Sequence, residues 1–331
     1  AYDRTIPREL CLEFTAKTGI PVDVTSVASC MEAANLLYRK KESFDLLLLT
    51  TDSIKAMRDR GQLFPLDPKK ITKFSKVQFK WGRAAGDPKG EFRIPMDVAA
   101  MGLLVDQRAP QPEVTGYLDA FRKPRPGGVA VIVDQRDLLA AALLSLGASV
   151  NDLSPDNLKA ARVLLRGWLG NIAPASKDIW GTGHTPAFKA LRTAIVEGRH
   201  PLALIYSGDA LSLMTEYPGR FRWINPVEGS LKYMTVFVIP KDSKRPDAAH
   251  RFIDFLLDPK IASQIAVAPG YGIHLGVKSS LLPLKFYGNP NELAVDDLMD
   301  SFSVQTDITR EPRAEMQALF DSLPPPSAPA K

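Results

Sequence analysis

Three short runs, FDLLLL at 44–49, VAVIV at 129–133 and PLALIY at 201–206, are apolar on both faces, and each gives way to polar residues and then to a segment patterned as a helix. A strand with no polar face must be covered on both sides, which is the situation of an interior strand in an α/β sheet. The helical segments carry their own stops. Pro7 to Lys17 sets Leu10, Cys11 and Phe14 on one face and ends at Gly19, Ser53 to Arg60 ends at Gly61, Leu138 to Leu146 ends at Gly147, and a helix opened by Thr185-Pro186 closes at Gly198. Ile20, Val22 and Val24 alternate as one more strand, and Ser29 with Glu32 reads as a capping box for a helix toward Lys41. Strand–helix–strand at this spacing implies right-handed βαβ units and a mainly parallel sheet.

The rhythm runs once up to about residue 98 and restarts at Val129, so a chain of 331 residues is expected to form two lobes of similar build. The stretch LKYMTVFVIP and the helix around AAHRFIDFLLDP have no complete sheet of their own and are expected to return to the first lobe. The expected division is therefore 1–98 with 233–279 as lobe 1 and 99–232 with 280–331 as lobe 2. The Pro/Ala-rich end, LPPPSAPAK, is expected to be disordered.

The formal net charge of +5 is mild. Basic runs such as Arg39-Lys40-Lys41 and Lys69-Lys70 fall at helix ends without interleaved aromatics, which excludes nucleic acid as an expected partner. No run approaches about 18 apolar residues, so no membrane-spanning helix is expected. The chain opens at Ala1-Tyr2-Asp3 with no leader pattern in view. Cys11 and Cys30, the two cysteines, and the four scattered histidines make no zinc spacing; Cys11 reads as a core thiol, with a Cys11–Cys30 disulfide as the alternative. There is no phosphate-cradling or dinucleotide glycine pattern and no nucleophile elbow, so no cofactor is expected.

What distinguishes the chain is the content of its strand tips. Asp52, Asp134 and Asp209 each follow an apolar strand, Tyr206 ends another, and Tyr233 lies within LKYMTVFVIP. In open α/β sheets ligands collect at such tips. Carboxylates with tyrosines suit an organic cation, since the acids pair with an ammonium and each aromatic face adds about 0.5–2 kcal/mol. Asp134 and Asp137 in VDQRD equally suit an N-cap and its capping-box partner, and each tyrosine equally suits packing. Both roles stay open on the residues alone.

The stretches IPRELCLEFTAKTGIPV, SFDLLLLTTD…MRDRGQLFPLD, FRIPMD, VDQRDLLAAALLSLG, FVIPKDSKRPDAAHRFIDFLLDP and APGYGIHLG, in this order, resemble bacterial periplasmic spermidine/putrescine-binding proteins, the receptors of ABC importers. The resemblance covers nearly the whole chain apart from the region of KDIWGTGHTP. It implies a non-enzymatic receptor with the two-lobed type II periplasmic-binding-protein fold, α/β, each lobe a mainly parallel sheet flanked by helices. A polyamine would be held in a cleft between the lobes and released to a membrane ABC permease after hinge closure. It also implies a monomer in the periplasm, lipid-anchored where an upstream residue allows it.

Carried over position by position, Asp134 and Asp137 match the family's amine-binding acid pair. Tyr206 and Tyr233 fall where tryptophans meet the ligand stem, and Tyr2 at the first-strand tryptophan. Tyr271 and Gln305 match a pocket tyrosine and glutamine, Thr50 a pocket serine, and Asp52 a position usually held by tyrosine. Three departures stand out: Arg4 replaces an acid, which leaves Asp3 as its substitute; Thr235 replaces a central aspartate; and Val98 replaces an aromatic. Asp52 and Asp209 are the expected sources of the missing acids. The alternatives are a same-fold receptor for ferric ion or another organic cation, and a carboxylate-dependent hydrolase.

Overall fold

The computed structural model describes residues 6–27, 36, 42–50, 54–76, 87, 89–109, 113–174, 176, 185–266, 302–306 and 310–326. In chain order its main elements are α1 (Arg8–Thr18), β1 (Leu47–Thr50), α2 (Ile54–Asp59), β2 (Leu63–Phe64), β3 (Ile94–Asp106), α3 (Tyr117–Arg122), β4 (Val129–Val131), α4 (Gln135–Ser145), α5 (Pro155–Trp168), α6 (Thr185–Val196), β5 (Leu202–Tyr206), α7 (Ser207–Glu216), β6 (Phe221–Ile224), β7 (Lys232–Pro240), α8 (Pro246–Leu256), α9 (Pro259–Ala266) and α10 (Arg310–Asp321). They fall into two compact units, residues 1–99 with 233–287 and residues 100–232 with 288–331. This is the two-lobed α/β class that the repeated rhythm implies.

In the first unit α1 buries Leu10, Cys11 and Phe14 and closes at Gly19, whose φ of 72° suits glycine. Phe14 meets Phe252 of α8 edge-on, with ring centroids 4.9 Å apart, and this pair joins Leu48, Phe237 and Ile239 in one core. Cys11 is a buried free thiol, whereas Cys30 and the Ser29–Glu32 capping box lie outside the described residues. The FDLLLL strand starts only at Leu47, because the Asp45 carboxylate turns aside to accept from Ser243 Oγ and the Arg245 N–H, each at 3.0 Å. Ile20 to Val24 departs from expectation, since it lies in no described ladder. Ile20 and Val22 pack against the core edge and Val24 is 42% exposed, so the alternation records one-sided packing of an extended segment.

His250 ties this unit together. Its wholly buried ring accepts the Asp67 N–H at Nε2 (3.0 Å), and Nδ1 faces the Pro246 carbonyl at 2.6 Å, which sets the proton on Nδ1. We expect His250→Ala to lower unfolding stability by about 2–3 kcal/mol, through two lost bonds and a cavity. Chemical denaturation measures this, and an unchanged midpoint would contradict the bridging role.

In the second unit β4 runs parallel to β5 (Val129↔Leu202 to Val131↔Leu204), while β3 runs antiparallel to β5 (Met101↔Tyr206 to Val105↔Leu202) and to β6. In the first unit β1 and β2 are likewise antiparallel to β7. The expectation of mainly parallel sheets is thus corrected for the described strands. A helical crossover makes parallel neighbours only of the strands it joins, as the α4–α6 connection does for β4 and β5. Strands β3 and β7 arrive by longer excursions and run the other way. Helix α4 buries every residue from Asp137 to Leu143, and Trp168 stacks on Phe121 behind it at 4.5 Å. Of the tail expected to be disordered, Leu323 is buried and residues 327–331 lie outside the described residues.

Candidate functional site

Among the described residues, each unit carries a polar cluster against its apolar strands that includes residues expected from the sequence. In the second unit, the parallel pairing of β4 with β5 continues as Ile132 N–H donates to the Leu204 carbonyl at 2.8 Å, which brings the two strand tips side by side. The chain leaving β4 turns at Asp134, the N-cap of α4, whose Oδ1 accepts the Asp137 N–H at 3.0 Å. The capping role is therefore real. Asp137 does more than complete the cap, because its buried carboxylate accepts from the Tyr206 hydroxyl at 2.5 Å. The Tyr206 oxygen in turn accepts from the Asp134 N–H.

Burial, and then the charges of Asp137 and Asp134, hold the Tyr206 hydroxyl well above the usual tyrosine range. Tyr206 thus stays a proton-bearing donor that fixes the Asp137 carboxylate in place. Asp209 lies half-buried in the first turn of α7, three residues beyond Tyr206. Residues 304–306 close over the start of α4. Gln305 Nε2 donates to the Arg136 carbonyl at 3.3 Å, the Arg136 guanidinium donates to the Thr306 carbonyl, and Asn151 holds Val304 and Thr306. Of the expected residues in this unit, Asp134, Asp137 and Tyr206 form one hydrogen-bonded group. Gln305 joins it through Arg136.

In the first unit Thr50, the last residue of β1, pairs directly with Thr235 of β7, so both side chains stand on one face. Tyr233, two residues along β7, shares that face and is half-buried. Across the other edge of β7, the carboxylate of Asp97 on β3 accepts from both the hydroxyl and the backbone N–H of Thr235. Burial pushes the Asp97 carboxyl up to about 6, against the opposing pull of those two bonds. Asp97 is not among the residues expected from sequence. Its one signal there is a lone acid in the apolar run IPMDVAAMGLLV. Tyr2, Asp3, Asp52 and Tyr271 lie outside the described residues.

The family model for bacterial extracellular solute-binding proteins matches residues 9–282. The spermidine/putrescine-binding periplasmic protein of Escherichia coli (strain K12) is 29% identical over 273 residues, which is 80% of this chain and 74% of that protein. Among solved structures, the spermidine/putrescine ABC transporter substrate-binding protein PotD of Streptococcus pneumoniae superposes with a TM-score of 0.81 at 22% identity, covering 96% of this chain and 95% of that one. The Tp0655 (TpPotD) lipoprotein of Treponema pallidum gives a TM-score of 0.80 at 21% identity, with 97% of each chain covered.

Proposed function

The chain belongs to the bacterial extracellular solute-binding protein family, and within it we propose a receptor for a short polyamine, putrescine or spermidine, that presents its cargo to a membrane ABC permease. The observation that carries this reading is the group formed by Asp134, Asp137 and Tyr206 at the adjoining tips of β4 and β5. Two carboxylates at one helix start, one of them buried and oriented by a protonated tyrosine, make an acceptor site for an ammonium. An anion at that place would meet two like charges. The name borne by the Escherichia coli relative supports the same cargo class. Micromolar affinity needs about 8 kcal/mol net, within reach of paired ammoniums and buried methylenes at about 0.8 kcal/mol each.

The receptor works as a monomer on the periplasmic side of the membrane. As a member of this family it binds and delivers rather than converts its solute, which sets the hydrolase reading aside. Ferric ion is the poorer alternative, because iron takes phenolate and the Tyr206 hydroxyl is held in its protonated form.

A thermal-shift series tests the cargo class. Ligand at about 100 times its Kd adds roughly 2.7 kcal/mol to stability. Putrescine or spermidine should therefore raise Tm by several degrees, while sulfate and 4-aminobutyrate leave it in place. Equal shifts with the anion, or no shift with either amine, would contradict the proposal.

A further inference from the structure

We propose that Asp97 is a cation-recognising residue of the first unit, receiving an ammonium group of the ligand on the face it shares with Thr235, Thr50 and Tyr233. This rests on the polyamine-receptor reading above and extends it to a residue outside the expected set.

Asp97 is the only charged residue of β3 before Asp106 at the strand's end. Its neighbours Met96 and Val98 point to the opposite face, where each is 1% exposed, while Asp97 and Ala99 are only half-buried. Thr235 donates to the carboxylate through its hydroxyl and its backbone N–H, and the register sets Thr50 beside Thr235. Three neighbouring strands of the first unit thus present oxygen atoms together on one face, with the half-buried Tyr233 next along β7.

Among the described residues no lysine, arginine or histidine pairs with Asp97, and its partners are the two neutral donors of Thr235. An asparagine could accept the same two bonds without placing a charge partly out of water. The charge does nothing for the unit by itself, and burial indeed disfavours the ionised form. At neutral pH the carboxylate is nonetheless largely ionised, since its pKa is raised only to about 6. An unpaired, partly desolvated carboxylate fixed by two donors is prepared for a cation that arrives from outside.

The test is calorimetric titration of the parent protein, Asp97→Asn and Asp97→Asn/Thr235→Asp with putrescine and spermidine, with Tm of each ligand-free form. Asp97→Asn should weaken the better ligand by about 10- to 100-fold. Ligand-free Asp97→Asn should match or exceed the parent Tm, a readout that a purely structural acid would move downward. Returning a carboxylate to the same face with Thr235→Asp should recover most of the lost affinity. Affinity within twofold of the parent in Asp97→Asn would overturn the proposal while leaving the polyamine reading intact. A parent protein that binds neither amine would remove both together.

Discussion

Replacing Asp137 by asparagine should lower the affinity for a polyamine by roughly 30- to 1,000-fold, the equivalent of about 2–4 kcal/mol. The fold should survive the change. The amide oxygen of the introduced asparagine can still accept from the Tyr206 hydroxyl, which sits 2.5 Å from the parent carboxylate, so the geometry persists while the charge is gone. An ammonium left facing a neutral amide in a buried setting loses its charge-assisted bond and keeps its desolvation cost. Asp134→Asn separates binding from capping, because asparagine is as good an N-cap as aspartate. A fall in affinity with unchanged helicity and Tm would therefore report the Asp134 charge. Titration calorimetry with matched circular dichroism makes both measurements, and affinity within threefold of the parent in Asp137→Asn would contradict the assigned role.

Gly127→Ala should cost about 3–5 kcal/mol of unfolding stability. Gly127 has a φ of 77°, and a Cβ there would lie 1.9 Å from the Arg199 carbonyl oxygen. The obstacle is backbone, so it cannot swing aside as a side-chain end would. The Gly127 carbonyl is also held by the His200 ring at 2.7 Å, which leaves the loop little room to shift. This loop feeds β4, and β4 leads to Asp134 and Asp137, so displacement here should also lower ligand affinity. A denaturation midpoint equal to that of the parent would contradict this account.

The contrast between Asp137 and Asp97 shows what the sequence makes legible. Helix ends are readable because their causes are local. Gly19 and Gly147 take up positive φ, and Asp134 caps the helix that the apolar run after it requires. The tips of β4 and β5 are readable because a buried strand that hands over to a helix must pass from apolar to polar residues where it leaves the sheet. That Tyr206 donates to Asp137 is not readable, since it depends on β4 and β5 being parallel neighbours across 69 positions of sequence.

Strand direction fails for the same reason. The βαβ argument governs only strands joined by one crossover, and β3 and β7 are not so joined to their described neighbours. The Ile20–Val24 alternation misleads because period-2 packing needs only one apolar wall, not a ladder. Asp97 escapes notice because one acid in a long apolar strand carries no periodicity of its own. Its meaning comes from Thr235, 138 positions away in sequence, as the numbering of the two residues shows.

The most direct test of the central claim is a calorimetric titration of the parent protein, unfolded and refolded to remove carried ligand, with putrescine and with spermidine. Saturable one-to-one binding of at least one of them, at micromolar Kd or tighter, is expected. Absence of heat with both amines, in protein whose circular dichroism shows it refolded, would contradict the assignment of polyamine as the cargo of this receptor.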